Sequence, residues 1–327
     1  MVEPKATGGD HFDFKQLPRL HGEPLCRALF RRCPEDFQVD EMLDIEPSGK
    51  GEHLLLQIRK RDQNTQWVVG LLADLAGIKR NDIGFCGLKD RFAVTTQWFS
   101  LHLPGRDVDQ EQLQHPDFTV LASHRHNKKL RRGMHQSNRF SIILSQFEVA
   151  PELLAERLQL IEQRAVPNYF AEQRFGWDGN NLREAQRLID ADQLKGNRRG
   201  TGIYLSAARS WLFNLVLARR MSINGLMQDI EGDQTGALWG RGRSNVNQSV
   251  AEIEADVLAG WQSWCYALEH SGLKQDRREL LLRPENMNAE WLEEHRLRLD
   301  FSLPAGCFAT AVLREIAELF RPDIRPL

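Results

Sequence analysis

The segments of this chain that read as β-strands lie toward its two ends, and a long helix-dominated stretch separates them. Runs of alternating or β-branched apolar residues occupy 53–60, 93–101, 118–123, 140–145 and 296–304. Helical spacing of apolar residues dominates from VPNYF (166–170) to about residue 290. This order predicts an α+β domain made from both ends of the chain, with a mostly helical unit inserted between them.

Length and composition allow this organisation. At 327 residues the chain is long enough for two domains, and 41% hydrophobic with 27% charged residues is typical of a globular protein. We assign residues 1–165 and 291–327 to the two parts of the α+β domain, and residues 166–290 to the insertion.

Local signals predict several helices. Asn64 can cap a helix that runs from Thr65 to Leu75, with Gly77 as its stop. Pro151 opens another helix, which should reach about Arg164. The remaining predicted helices are 182–191, 206–221, 250–272 and a final one from Ala309 to Phe320.

The same composition argues against a secreted or membrane protein. The start, MVEPKATGGDHF, carries acids and has no apolar core segment, and the most apolar helical window, Trp67 to Gly77, is too short to span a bilayer. The five cysteines include no C-x-x-C pair, so neither a disulfide framework nor a thiolate zinc site is indicated. We expect a soluble, cytoplasmic protein with reduced thiols.

One segment concentrates positive charge in a chain whose net charge is only −2. No acid occurs between Asp117 and Glu148, and we call residues 124–139 within this window the basic strip. Its members include Arg125, Lys128, Lys129, Arg131, Arg132 and Arg139, with His124, His126 and His135. Smaller basic patches follow at 195–200 and 240–243. The basic strip is consistent with a local binding site for a polyanion. A run of charged residues is about as often a solvent-exposed face of a loop or helix that binds no ligand.

The segment GLKD (87–90) is the remaining candidate for chemistry, because the common nucleotide, zinc and hydrolase motifs are absent. H-x-H at 124–126 has no acid or cysteine near it in sequence, so it is a weak metal candidate. Asp90 follows a Gly84/Gly87 turn and precedes a strand. It either accepts hydrogen bonds from turn amides, or it is an ionised nucleophile or base. The pattern alone leaves both alternatives open.

Six segments, taken together and in order, resemble the TruD family of tRNA pseudouridine synthases. They are PEDFQVDE (34–41), GLKDRFAVTTQ (87–97), SNRFSIIL (137–144), VPNYFAEQRFG (166–176), LSAARSWLFN (205–214) and LPAGCFATAVLRE (303–315). The segment GLKDRFAVTTQ resembles the family's G-x-K-D-x-x-A-x-T-x-Q motif. The resemblance is specific because the set spans nearly the whole chain.

The resemblance implies a fold and a reaction. The fold would be an α+β pseudouridine-synthase catalytic domain with a mixed, largely antiparallel sheet, plus an inserted, mostly helical TRUD domain. The reaction would detach the uracil of a uridine from its ribose, rotate it and rejoin it through carbon, usually at position thirteen in the D arm. The partner would be tRNA, and the resemblance implies no cofactor and no metal.

The resemblance also carries over the catalytic role and its supporting groups. Asp90 would be the catalytic aspartate, which attacks the sugar or the uracil as a nucleophile, or removes a sugar proton as a base. Lys89 and Glu41 would order the pocket or contact phosphate. The expected RNA contacts are Arg125, Lys128, Lys129, Arg131 and Arg132.

Uridine contacts carry over in the same way. Phe37, Asn138 and Phe308 match uridine-contacting positions, and Phe140 with Phe308 could bracket the flipped base. The amide of Asn138 offers the donor and the acceptor that the uracil edge requires. As patterns alone, the three phenylalanines suit a protein core equally well.

Three features depart from the family pattern, and one of them is Cys307, a small residue that stands where serine is common. Ala171 stands where the family's NYFG-x-QRFG has a glycine, from which we infer an ordinary backbone conformation there. After GRGRS (240–244) the chain passes directly into NVNQSV, where the family usually has a longer stretch with a G-x-L-P-G-type loop. Either the chain has lost this piece or the sequence omits it, and the intact flanking motifs favour omission.

Two other functions remain open on the sequence. A non-catalytic RNA-binding or chaperone protein of the same fold would use the basic strip, although it would not need an intact GLKD. An aspartate-dependent N-glycosylase would release the base instead of rejoining it.

Overall fold

The structure, a computed structural model, describes residues 12–194, 200–224, 233–293 and 295–322. The chain forms two compact units, each described as far as these residues extend. The sheet unit comprises Pro24–Glu162, Pro284–Ala309 and Ile316–Leu327, and the helical unit comprises Met1–Glu23, Gln163–Arg283 and Thr310–Glu315. Of the basic patch predicted at 195–200, residues 195–199 lie outside the described residues.

The strands and helices are as follows. The strands are β1 (Cys26–Phe30), β2 (Phe37–Met42), β3 (His53–Arg61), β4 (Ile83–Phe85), β5 (Val94–His102), β6 (Phe118–His126), β7 (Ser137–Ser145), β8 (Val166–Pro167), β9 (Thr235–Leu238), β10 (Asp276–Glu279), β11 (Leu281–Leu282), β12 (Glu285–Glu293), β13 (Arg296–Pro304) and β14 (Ala317–Phe320). The α-helices are α1 (Thr65–Ala76), α2 (Pro151–Arg164), α3 (Asn180–Asp190), α4 (Gly202–Asn224), α5 (Gln248–Leu258), α6 (Gln262–His270) and α7 (Ala309–Arg314). None of the helices in the described ranges is both long and apolar enough to cross a membrane.

A 10-stranded sheet forms the sheet unit. Its main order is β12-β13-β7-β2-β5-β3-β6, with β1 beside β7 and β14, and β4 beside β5. The pairs β2–β5 and β1–β14 are parallel, and the other neighbours are antiparallel. This mixed, largely antiparallel sheet with helices confirms the expected α+β fold class.

Strand β3 supplies much of the core between the sheet and α1. Its alternate residues Leu54, Leu56 and Ile58 are buried in the same cluster as Val68 and Leu72 of α1. Alternate strand residues share one face of a sheet, so the pattern of β3 places these three against the helix.

Helix α1 begins and ends where its sequence signals predict. The side chain of Asn64 accepts a hydrogen bond from Trp67 N at 2.7 Å, and Gly77 ends the helix in the left-handed region with φ of 61°. The prediction is confirmed, with Ala76 added at the end. Helix α2 likewise begins at Pro151 and ends at Arg164.

In the helical unit, α3 to α6 pack around a core that includes Trp211, Phe213 and Trp264. The single helix predicted over 250–272 is wrong, because a short 3-10 turn at Ala259–Trp261 divides it into α5 and α6. Strands β9 to β11 were not predicted. Their runs are short, and DRRE in β10 has no apolar residue to reveal a strand period.

The chain runs without a break from Ser244 into α5. The hydroxyl of Ser244 accepts a hydrogen bond from Arg277 Nη1 at 3.2 Å, and the side chain of Asn247 accepts one from Val250 N at 2.9 Å. That the sequence omits a segment of the family here stays a prediction. Ala171 has φ of −75°, which is the ordinary backbone inferred for it.

The last predicted helix is too long. Helix α7 ends at Arg314, and Ala317–Phe320 forms β14 instead of further helical turns. These residues pair in parallel with Cys26–Leu29 of β1. Strand pairing outweighs the helical preference of the AELF run, and no local pattern reports such a distant partner.

Candidate active site

Asp90 lies in the loop between β4 and β5, and its side chain is 43% exposed. Its Oδ2 accepts a hydrogen bond from Arg31 Nη2. Among the described residues this guanidinium is the partner of the carboxylate, and turn amides are not. The carboxylate therefore meets a cation on one side and remains open to solvent on the other.

Three buried polar side chains hold the main chain of the Asp90 loop. Their bonds run from Gln97 Nε2 to Gly87 O at 3.2 Å, from Lys89 N to Thr65 Oγ1 at 3.0 Å and from Lys60 Nζ to Asp90 O at 3.0 Å. Lys60, Thr65 and Gln97 come from β3, α1 and β5. The loop is thus fixed from the sheet and helix behind it, while the Asp90 side chain projects outward.

Arg31 is a site residue that the sequence patterns did not reveal. It follows β1 with φ of 56°, and its side chain is only 7% exposed. The guanidinium carbon lies 3.8 Å from the centroid of the Phe37 ring, which fixes the plane of the charged group. Arg31 precedes Asp90 by 59 positions, so no short motif joins them. The available signal was a basic residue three positions before PEDF.

Lys89, Glu41 and Asn138 form a buried polar cluster beside Asp90. Lys89 Nζ lies 2.8 Å from Glu41 Oε2 and donates to Asn138 Oδ1 at 2.8 Å. The side chains of Lys89 and Glu41 are 6% and 0% exposed. Glu41 of β2 lies opposite Asn138 of β7 in the strand register, so the sheet itself brings them together.

His135 extends this cluster and was not predicted as a site residue. Its Nε2 lies 3.3 Å from Asn138 Nδ2, and the side chain is buried. Burial and the nearby ammonium of Lys89 lower the pKa of His135. The sequence contained only its place in the basic strip, where it read as one more cationic residue.

Phe37 and Phe140 are buried in an aromatic row within the sheet unit. Their ring centroids lie 6.0 Å apart, and each ring also contacts a further phenylalanine, at 5.6 Å to Phe30 and 5.6 Å to Phe301. The structure places both rings in packed core, and Arg31 lies over the ring of Phe37. Their predicted contact with a uridine stays a prediction.

Phe308 is the half-buried member of the predicted aromatic set. It follows β13, whose Leu303 lies opposite Asn138 in the strand register. A turn through Gly306, with φ of 82°, separates the strand from Phe308, and a side chain at that position would be strained. Phe308 therefore belongs to the same end of the sheet as Asn138.

The basic strip divides into exposed and anchored residues. The exposed predicted RNA contacts are Lys128, Arg131 and Arg132. Arg125 instead pairs with Asp107, and Lys129 donates to the main-chain oxygen of Asn81. Two of the five predicted RNA contacts are thus engaged by the protein itself.

The exposed part of the strip adjoins the Asp90 loop. Gly133 N donates to Cys86 O at 2.8 Å, which joins the segment between β6 and β7 to the start of that loop. The guanidinium carbon of Arg132 lies 4.7 Å from the centroid of the Phe85 ring, at the end of β4. A polyanion held by these cations would lie beside the start of the loop that carries Asp90.

The H-x-H histidines are engaged by neighbouring groups. His126 Nδ1 accepts a hydrogen bond from Ser48 N at 3.3 Å, and the ring of His124 lies 6.1 Å from that of Trp98. No cluster of three or more His, Cys, Asp or Glu side chains within the described ranges could hold a metal ion.

Comparison with protein families and curated proteins gives matches over most of the chain. The family model described as tRNA pseudouridine synthase D (TruD) matches residues 20–201 and 234–316. A tRNA pseudouridine synthase D of Cellvibrio japonicus (strain Ueda107) is 44% identical over 318 residues, covering 94% of this chain and 95% of the relative. The protein of the same name from Aeromonas salmonicida (strain A449) is 41% identical over 341 residues, covering 94% and 96%.

A solved structure shares the fold. A crystal structure of a TruD protein from Methanosarcina mazei gives a TM-score of 0.63 at 21% sequence identity, covering 90% of this chain and 94% of that chain. At this identity the likeness bears on the fold alone.

Proposed function

The chain belongs to the TruD family of tRNA pseudouridine synthases, and we propose that it isomerises a tRNA uridine to pseudouridine with Asp90 as the essential carboxylate. It is an isomerase that detaches a base and rejoins it to the same sugar. The observation that carries the proposal is the exposed carboxylate of Asp90 opposite the buried guanidinium of Arg31. We assign catalysis to the sheet unit, which holds both residues, and regard residues 166–290 as the inserted TRUD domain.

Asp90 has the access and the charge that cleavage of the glycosidic bond needs. Its carboxylate can attack the sugar or the uracil, or it can remove a sugar proton. As the bond between C1′ and N1 breaks, its electrons leave with the uracil. The base then turns, C5 bonds to C1′, and the proton lost from C5 balances the one gained at N1. Arg31 holds the carboxylate at one place through these steps.

The uridine must leave the base stack before Asp90 can reach it, at a cost of a few kcal/mol. Stacking on an aromatic ring offsets this cost by about 1–3 kcal/mol per base. We assign the stacking to Phe308, which is half-buried, and the hydrogen bonding of the uracil edge to Asn138. The burial of Phe37 and Phe140 suits a floor beneath the uridine.

We propose that the target is the uridine at position thirteen in the D arm of tRNA, the usual substrate of the resembled family. Lys128, Arg131 and Arg132 are exposed beside the Asp90 loop and would contact backbone phosphates. A cytoplasmic location, where these cysteines would stay reduced, accompanies this assignment.

The test is the Asp90→Asn variant with an unmodified tRNA transcript. We expect no pseudouridine in adduct-dependent primer-extension mapping, with tRNA binding retained, because the amide lacks the charge. Asp40→Asn is a matched control, since Asp40 is an exposed aspartate on β2, and it should stay fully active. If the Asp90→Asn variant still formed pseudouridine, Asp90 would not be the essential carboxylate. If the unaltered protein gave a primer-extension stop at another uridine, the assigned position would be corrected.

The same assay separates the rival functions. Binding of tRNA by the unaltered protein without conversion would favour the non-catalytic RNA-binding or chaperone function. Release of free uracil would indicate an N-glycosylase.

A further inference from the structure

Asn138 takes part in a chain of hydrogen bonds whose direction is set by its first member. Lys89 has three N–H donors and no acceptor, so the amide atom at 2.8 Å from its Nζ must be the oxygen of Asn138. The ion pair with Glu41 holds Lys89 in place. The amide nitrogen then faces the other way, toward Nε2 of His135 at 3.3 Å.

An amide N–H can only donate, so Nε2 of His135 must accept. The imidazole therefore carries its proton on Nδ1 and is neutral. Nδ1 is buried and meets no hydrogen-bond partner among the described residues. A protonated ring would present two N–H groups, and neither would meet an acceptor, so this environment favours the neutral ring.

From this geometry we propose that His135 is a positioning residue, which fixes the amide of Asn138 in the orientation that the uridine requires. The inference rests on the proposed function, in which Asn138 hydrogen-bonds the uracil edge. The bonds to His135 and Lys89 leave the amide one N–H and one lone pair for the base. The uracil edge alternates acceptors with one N–H donor, so a rotated amide would oppose like groups.

The groups that face His135 act on its charge in opposite directions. Burial lowers the pKa of the ring most, the ammonium of Lys89 lowers it further, and the carboxylate of Glu41 raises it. Cys86 accepts a hydrogen bond from the main-chain N–H of His135, and its thiol stays neutral because burial raises its pKa to about 12. The pKa of His135 thus lies below the ordinary histidine value of about 6.5.

Protonation would change His135 Nε2 from an acceptor to a donor and set it against the N–H of Asn138. The amide would then either rotate, which brings its nitrogen against the ammonium of Lys89, or lose its support. The neutral ring is the competent form. Pseudouridine formation should therefore decline as the pH falls through the pKa of His135.

Two variants of the full chain test this role. In His135→Gln, the side-chain oxygen can accept from Asn138 but does not titrate, and in His135→Leu the acceptor is lost. We expect the unaltered protein to lose kcat/KM on an unmodified tRNA transcript below about pH 6.5. His135→Gln should lack that decline, and His135→Leu should lose about fivefold at pH 7.5 with tRNA binding unchanged. An acid decline that persists in His135→Gln, or full activity in His135→Leu, would overturn the proposal.

If His135→Leu fails to fold, a spectroscopic measurement on the folded protein can test the protonation state of His135 without an activity assay. Two-bond proton–nitrogen spectra of protein labelled with ¹⁵N-histidine, assigned by the signal missing in His135→Gln, should show the His135 proton on Nδ1. A proton on Nε2 would overturn the inference. Asp90→Asn, assayed in parallel, keeps the tests apart: an active Asp90→Asn defeats the proposed function, whereas an inactive one with wild-type-like His135 variants defeats this inference alone.

Discussion

Arg31 donates a hydrogen bond to the carboxylate of Asp90, so that a buried cation meets an exposed anion at the surface of the sheet unit. The guanidinium cannot move far, because the ring of Phe37 lies 3.8 Å beneath it. The carboxylate of Asp90 is therefore held by a residue that lies far from it in sequence and packs on the buried ring of Phe37.

Replacing Arg31 with Gln should lower kcat for pseudouridine formation by about 100-fold, since removing one preorganised electrostatic partner commonly costs about 10²–10³ in rate. Binding of tRNA should change little, because the side chain is buried. Arg31→Lys keeps the charge and should recover most of the rate. Arg32→Gln is the control, because Arg32 is more exposed and pairs with Asp36. Equal single-turnover rates for Arg31→Gln and the control would leave the pair a structural role only.

Lys89→Met should lower the free energy of unfolding by about 3–5 kcal/mol, because it leaves the carboxylate of Glu41 buried without a cation. The double variant Glu41→Gln, Lys89→Met removes that stranded charge and should recover most of the loss. Urea denaturation of both variants measures the difference. If the single and double variants were equally unstable, the buried charge would not be the cause.

Neutralising the exposed residues Lys128, Arg131 and Arg132 to Gln should weaken tRNA binding and flatten its salt dependence. Each lost contact to a single-stranded phosphate lowers the log–log slope by about 0.7, so a loss of about 2 is expected. Arg125→Gln is the matched control, since Asp107 already engages its guanidinium. Filter binding over a salt series measures the slopes. An unchanged slope in the triple variant would mean that these side chains face only solvent.

Lys60 should make stability rise with pH in the alkaline range. Burial lowers the pKa of Lys60, and the negative charge of Asp90 offsets only part of this effect, so the pKa in the folded protein is about 8. In the unfolded chain the pKa of a lysine is about 10.4. Between these values the unfolded chain keeps a proton that the folded protein has lost, so the free energy of unfolding increases with pH. Relative to Lys60→Met, the unaltered protein should gain up to about 3 kcal/mol between pH 8 and 10 in urea titrations. Parallel pH profiles for the two proteins would contradict the assigned pKa.

Local sequence signals predicted the elements that they govern. Asn64 and Gly77 gave the bounds of α1 to within one residue, and the alternation in residues 53–60 predicted strand β3. The predicted helix beyond Arg314 failed because β14 depends on pairing with β1, at the other end of the chain. Helix propensity cannot register a partner at that distance.

The same difference between local signals and long-range contacts applies to the candidate site. GLKD already suggested that Asp90 could be presented on a loop, and the structure describes it there with an exposed carboxylate. The sequence did not identify Arg31 and His135 as site residues, because their roles depend on contacts that form only in the folded protein. A histidine within a basic run reads as one more cation, whereas burial beside Lys89 makes a neutral ring the favoured form.

The pairing of β1 with β14 has a consequence for synthesis. Only Leu29 and Phe30 of β1 pair with β7, whereas Cys26–Leu29 pair with β14, and Arg31 follows directly. A ribosome makes Arg31 and Asp90 early, but β14 emerges only after the preceding 316 residues have been translated. Contacts between such distant segments form late, because the entropy of the long intervening chain opposes them. A nascent chain released before residue 317 would lack the strand that pairs with β1 just before Arg31, and it should form no pseudouridine in a tRNA.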